Sequence, residues 1–301
     1  MDRRKFVTGA LAAPLVGALG TPARAQAQAW PTRNLTMVVA FPPGGQADLA
    51  ARPIALSLER SLGKSVIVDN RAGAGGLVGN AFVARSDPDG YTLLMCTVAQ
   101  TINPALNNLS FDFGKDLAPI MLVANAPQIL VAHPSVPANT VRELIALAKA
   151  SPEGLQYASS GAGTMSHLSG VLLASSAGIR LTQIPYPGSA QSMTDVLAGR
   201  VPMMFGPAAT VWANVQAGKL KALAVTQPTR AAIAPDVPTM IEAGVEGYSA
   251  GIWMGMLAPS GTPREIVDKL SRAANDAVKS PEVLALLAAQ GVDALGGSPE
   301  E

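Results

Sequence analysis

Ser159, Ser160 and His167 are the residues of this 301-residue chain whose types and spacing allow covalent chemistry. A hydroxyl activated by an imidazole base, with loop N–H groups as an oxyanion hole, would make an exported hydrolase. Against that reading, the run Ser159-Ser-Gly-Ala-Gly-Thr-Met-Ser-His167 contains no Gly-x-Ser-x-Gly elbow, and no acidic partner for the histidine is evident. The same run holds Gly161-x-Gly163, part of a nucleotide-binding fingerprint. Ser166 stands where the third glycine belongs, and a lone near-match is a weak signal.

A non-covalent chemistry is better supported. Three junctions are rich in Gly and small hydroxyl residues: Phe41-Pro-Pro-Gly-Gly-Gln-Ala-Asp48, residues 159–167, and Tyr186-Pro-Gly-Ser-Ala190. Each follows a strand-like segment and opens a helical one. Free backbone N–H groups at a helix start attract an anion without any Lys or Arg, and small residues let the backbone come close. Each loop alone is an ordinary turn; three together point to a site for a carboxylate. Asp48 reads as a cap that orders its own loop, and His167 as either structural or pocket-lining. His133 reads as a strand-end residue with no partner. Asn70, Arg71, Asn103 and Pro104 read as loop-fixing, and Cys96 as a buried small hydrophobe.

Short strand-like segments at 35–41, 65–69, 91–96, 128–132, 155–159, 181–186, 201–205 and 221–226 have to position these loops. Helical patterns lie between most of them, at 48–62, 77–85, 140–150, 166–177, 189–198 and 209–217. Thr140-Val-Arg-Glu143 and Thr262-Pro-Arg-Glu265 read as capping boxes; Pro53 marks a kink or a late start of the first helix. Alternation of this kind predicts an α/β fold with parallel sheets. The continuously apolar strands suit sheets covered on both faces.

Composition removes several classes of function. Apolar residues make up 49% and charged residues 14%, against about 25% charged in an average soluble chain, which excludes disorder. Lys plus Arg number 22 and Asp plus Glu 21, so the basic footprint of a nucleic-acid binder is missing. One cysteine and two histidines exclude a disulfide framework and a cysteine-cluster metal site, and no metal or cofactor is expected. Residues 1–29 read as an export signal: a basic start at Arg3-Arg4-Lys5, an apolar stretch to Leu19, and Ala23-Arg24-Ala25 as a cleavage site. The apolar stretch is shorter than the roughly 20 residues a membrane span needs. Arg3-Arg4-Lys5-Phe6-Val7 also resembles a twin-arginine signal, so both the general and the twin-arginine export routes stay open.

Read in order, the motifs resemble the substrate-binding proteins of the tripartite tricarboxylate transporter (Bug-type) family along essentially the whole chain. They are residues 41–48 with Arg52, Val68-Asp-Asn-Arg-Ala-Gly-Ala-Gly-Gly76 with Gly79, Asp87-Pro-Asp-Gly-Tyr-Thr-Leu93, Ile102-Asn-Pro-Ala-Leu106, Tyr157-Ala-Ser-Ser-Gly161 with His167, Ile184-Pro-Tyr186 with Gly188-Ser189, Pro235-Asp-Val-Pro-Thr239 with Glu242-Ala-Gly244, and Gln290-Gly291. The resemblance implies a type II-like periplasmic binding protein: two Rossmann-like lobes with parallel-type sheets, joined by crossover strands near 128–132 and 251–258. Lobe 1 would take 30–128 and 251–301, lobe 2 129–250. The implied function is capture of a small organic acid (an aliphatic or aromatic carboxylate or a related amide) and its delivery to membrane transporter subunits, or to a signalling receptor, by a monomer.

Residue by residue, the resemblance carries substrate binding to Phe41, Gly44, Gly45, Asp48 and Thr97 in lobe 1. In lobe 2 it carries it to Ser159, Ser160, Gly163, Thr164, His167, Tyr186, Gly188, Ser189 and Phe205. Three departures are expected on or near the cleft wall: Pro187, Pro202 and Gly206-Pro207 stand where such proteins often have polar or charged residues. They imply a less charged pocket, suited to an aromatic or monocarboxylic acid. Relatives also usually continue with a further helical segment past Glu301.

Overall fold

Residues 30–301 are described by the computed structural model; the export signal read at 1–29 lies outside them. Thirty-five to 39, with Leu35, Met37, Val38 and Val39 wholly buried, form a strand covered on both faces, β1 (Leu35–Val39). Helix α1 (Gln46–Leu62) follows. Its buried residues Ala47, Ala50, Ala51, Ile54, Ala55 and Leu58 make the one-sided stripe that a helix lays on a sheet. It begins two residues earlier than expected and runs through Pro53 to Gly63, whose positive φ of 69° closes it.

In chain order there follow β2 (Val66–Asn70), a short 3-10 turn at Ala74–Gly76, α2 (Leu77–Ala84), β3 (Thr92–Thr97), α3 (Ala99–Leu106), α4 (Phe113–Asp116) and β4 (Leu117–Ala126). Then come β5 (Gln128–Ala132), α5 (Val141–Ala150), β6 (Leu155–Ser159), α6 (Met165–Ala177), β7 (Leu181–Pro185), α7 (Ser189–Leu197), β8 (Met203–Pro207), α8 (Ala208–Gln216) and β9 (Lys221–Val225). β10 (Ile252–Pro259), α9 (Arg264–Lys279), α10 (Pro281–Ala288) and β11 (Asp293–Ala294) complete the chain. Residues 31–301 form one compact unit.

The strands make two sheets, ordered β11-β4-β10-β3-β1-β2 and β7-β6-β8-β5-β9. Pairing is parallel in β2-β1-β3 and β7-β6-β8, as the alternation predicts. The sheets are nonetheless mixed: β10 runs antiparallel to β3 and β4, and β5 antiparallel to β8 and β9. These antiparallel members are strands by which the chain changes sheet. Pro127 alone separates β4 in the first sheet from β5 in the second, and residues 226–251 return the chain from β9 to β10. Thr226, fully buried, stitches the two passages together: its N–H donates to Gln128 O and its hydroxyl to Ala250 O.

Alternate residues of β5 serve separate cores. Leu130 and Ala132 join Tyr157, Phe205 and Tyr248 on one face; Ile129 and Val131 join Val196, Met204 and Val211 on the other. The Thr140 capping box forms, with Glu143 N–H on the Thr140 hydroxyl and the Glu143 carboxylate on Asn139 N–H. The one expected at Thr262 does not. That hydroxyl donates back to Pro259 O, and α9 starts behind Pro263 with no side-chain cap.

Candidate functional site

A cavity of about 50 Å³ lies where the carboxyl ends of strands from both sheets meet. The loops after β1, β3, β6 and β7 line it, together with Gln128, Pro207 and Ile252. A cavity of this kind suits a compact solute. The loops of the two sheets already touch around it. Gly188 sits against the Pro42 ring, and Gly45 against the Ser189 hydroxyl. Gly75, at φ 65°, faces the carbonyl of Ala162 at a separation that leaves no room for a methyl group.

Five helices begin at this cavity: α1 behind Gly45, α3 behind Val98, α6 behind Thr164, α7 behind Gly188 and α8 behind Pro207. Four of them, α1, α6, α7 and α8, have no side-chain cap, although the first N–H of α8 goes to Pro127 O; at α3 the Thr97 hydroxyl takes the Ala99 N–H. Away from the cavity, α4, α5 and α10 satisfy their first N–H groups with Asp112, Thr140 and Ser280, whereas α2 and α9 lack a side-chain cap as well. An uncapped start leaves N–H donors and the positive end of the helix dipole available to a ligand. No residue lining the cavity carries a formal charge.

Of the fourteen residues singled out from the sequence, seven line the cavity: Phe41, Gly45, Thr97, Ser160, Thr164, Gly188 and Ser189. A buried chain holds Thr97, whose N–H and hydroxyl both donate to Gln100 Oε1, while Gln100 Nε2 donates to Asn80 Oδ1. Ser160 and Thr164 share the Ser166 hydroxyl, at 2.8 and 3.0 Å.

The other seven lie off the lining. Asp48 is 2% exposed and organises the first loop: its carboxylate takes the Gly44 N–H at 3.0 Å, both Arg52 donors and Asn70 Nδ2. Burial pushes its carboxyl up, but the bonds from Arg52, Gly44 and Asn70 outweigh that and hold it below the usual aspartate value. Gly44 is thus consumed by the same cluster. Ser159 is buried and receives Gln183 Nε2 and the Gly161 N–H. Gly163 donates its N–H to His167 Nδ1 at 3.2 Å, and burial lowers the pKa of that imidazole. The Tyr186 hydroxyl donates to Asp195, and burial with that carboxylate raises its pKa to about 12. Phe205 is wholly inside, edge-on to Tyr157 with ring centroids 6.0 Å apart.

Two further expectations change. Of the three departures expected on or near the cleft wall, only Pro207 lines the cavity; Pro187 is exposed, and Pro202 accepts from His133 N–H at the far end of β5. His133 does have a partner, with Nδ1 2.7 Å from the Ser135 hydroxyl. No hydrogen bond joins Ser159 or Ser160 to His167, so the described residues assemble no nucleophile–base pair. Asn70 and Asn103 fix loops as read, donating to Phe41 O and Gly75 O. The Cys96 thiol is buried, which raises its pKa to about 12. Gln46 and Gln128 also line the cavity. Gln46 lies inside the first glycine-rich motif, where its polar but uncharged side chain was the available signal. Gln128 carried no signal, because its strand reads as simply apolar.

Comparison with known proteins places the family and the fold. Residues 50–301 match the model of a family described as "Tripartite tricarboxylate transporter family receptor". Protein BugT of Bordetella pertussis is 35% identical over 289 residues, 95% of this chain and 89% of that protein. The structure of the periplasmic binding protein BugD superposes with a TM-score of 0.86 at 36% identity, covering 90% of this chain and 92% of that one. An R. palustris protein solved with adipate superposes with a TM-score of 0.87 at 35% identity, covering 90% and 91%.

Proposed function

The chain belongs to the tripartite tricarboxylate transporter receptor family, and from that premise we propose that its cleft captures a small organic solute through a carboxylate and hands it to a membrane transporter of the tripartite tricarboxylate type. Members of this family are solute receptors and not enzymes, and this chain is one. The observation that carries the carboxylate is the meeting of four helix starts without a side-chain cap at a cavity without formal charge. Donors in water-poor surroundings bind an anion more strongly than they would in bulk solvent. The adipate-bound relative is consistent with that chemistry.

In this reading lobe 1 is 30–128 with 251–301, lobe 2 is 129–250, and both close on the solute as a monomer. Closure is a population shift driven by tighter binding to the closed form. The periplasm is the place of work, reached through the leader at 1–29; the match to periplasmic BugD supports this. The seven lining residues named above hold the solute, with Gly44 and Asp48 shaping the first loop. The ligand class is an aliphatic or aromatic carboxylate or a related amide.

A thermal-shift screen of those acids and amides tests the function. A ligand at 100 times its dissociation constant stabilises by about 2.7 kcal/mol, which at about 2–4 °C per kcal/mol gives a plainly visible rise. One chemical class should produce it. No shift from any carboxylate, with well-folded protein free of bound solute, would refute the reading.

A further inference from the structure

Gln46 is the first residue of α1, 6% exposed, and lines the cavity. Neither its Oε1 nor its Nε2 has a hydrogen-bond partner. Asn80 and Gln290 each leave one buried amide atom unmatched; Gln46 leaves both. Other buried amides nearby are used. Gln100 accepts from Thr97 and donates to Asn80, and Gln128 Oε1 receives the Ser169 hydroxyl. A buried amide with no partner weakens the fold, so the role of Gln46 is not to hold its neighbours.

We infer that Gln46 reads a second, uncharged group on the solute, a carboxamide, so that the monoamide of a dicarboxylic acid is a better ligand than the diacid. This rests on the reading of the cleft as a carboxylate receptor. A primary amide sets N–H donors and a carbonyl acceptor side by side, and another amide is the group that matches both at once. A second carboxylate only accepts, so it would leave Oε1 unmatched and set negative charge against it. An ammonium only donates, and no acidic side chain lines the cavity to balance it. A hydroxyl must serve both ends from a single oxygen.

Calorimetric titration of the whole protein, freed of bound solute by unfolding and refolding, tests this with isosteric pairs: succinamate and succinate, glutaramate and glutarate, adipamate and adipate. For the chain length that fits, the monoamide should bind at least about tenfold tighter, the ratio expected from one buried hydrogen-bonded pair. Gln46→Leu should erase that preference while the ligand-free melting temperature stays level or rises. Equal or tighter binding of the diacid, or a preference that survives Gln46→Leu, overturns the inference. So does a fall of several degrees in the ligand-free variant, which would make the amide part of the fold. If other carboxylates stabilise the protein but no monoamide binds, the inference fails and the receptor reading stands. If no carboxylate of any kind binds, both fail.

Discussion

Gly75 and the carbonyl oxygen of Ala162, two residues before the cavity-lining Thr164, meet at a distance only a residue without a side chain permits. Gly75 belongs to the turn after β2 in the first sheet and Ala162 to the loop after β6 in the second. Gly75→Ala should therefore wedge the two loops apart. Affinity for the solute that stabilises the wild type should fall at least about tenfold, with a cost to the fold of roughly 1 kcal/mol from the positive φ. Small-angle scattering checks the cause: the ligand-saturated variant should keep a larger radius of gyration than the wild type. An unchanged affinity would mean that this contact does not belong to the binding-competent form.

Gly45→Leu tests the first loop. Its backbone is extended, at φ −79°, so a side chain is no strain, and a Cβ would stand 3.3 Å from Pro42 O and 3.7 Å from the Ser189 hydroxyl. The remaining atoms would enter the cavity. Binding should vanish while the ligand-free melting temperature moves little; retained affinity would remove this loop from the site.

Asp48→Ala should loosen the same loop from behind. It strips the buried carboxylate from Gly44, Arg52 and Asn70, and loss of one partner of a buried polar cluster costs about 1–3 kcal/mol. Because the folded carboxyl titrates below its ordinary value of 3.8, its contribution is complete above about pH 4. It is lost as pH falls through the folded value. Below that point wild type and variant should converge in stability, as chemical denaturation at a series of pH values would reveal.

His167 sets a second dependence at milder pH. Its folded pKa is lowered by burial, so the unfolded chain takes up the proton first as pH falls below the ordinary value of 6.5. Stability attached to the neutral imidazole is full above that pH and declines as acid drives it down towards the folded pKa. His167→Gln should flatten the melting temperature between pH 5 and 7. A wild-type slope left unaltered by the substitution would contradict this.

Short strands bounded by turn residues, such as 128–132 and 155–159, were legible to the residue. β4 was not, because Pro119 and Asn125 interrupt its pattern, and its stability comes from pairing with β10, more than 120 residues away. α3 was hidden for a similar reason: Asn103 and Pro104 look like loop residues, yet Asn103 donates to Gly75 O from inside the helix. At the site, loop positions could be read but side-chain directions could not. Ser159 and Ser160 are neighbours of one residue type. One ends β6 with its hydroxyl turned onto Gln183, and the other faces the cavity. Phe205, carried to the binding set by the resemblance, instead fills a core, because the inward phase of β8 places it against Tyr157. Periodicity tells that faces alternate; which face meets which neighbour is a property of the assembled sheets.

The lack of formal charge around the cavity has a consequence for the surroundings in which capture works. Ion pairs at a surface weaken as dissolved salt shortens the reach of a charge from about 30 Å at 0.01 M to about 3 Å at 1 M. Backbone dipoles fixed in the protein leave less for dissolved ions to screen than mobile charged side chains do, and no lining side chain carries a formal charge. Binding held in this way should vary little between dilute and briny media and should release no buffer heat. The receptor would then report how much solute is present, whatever the salinity of the fluid around it.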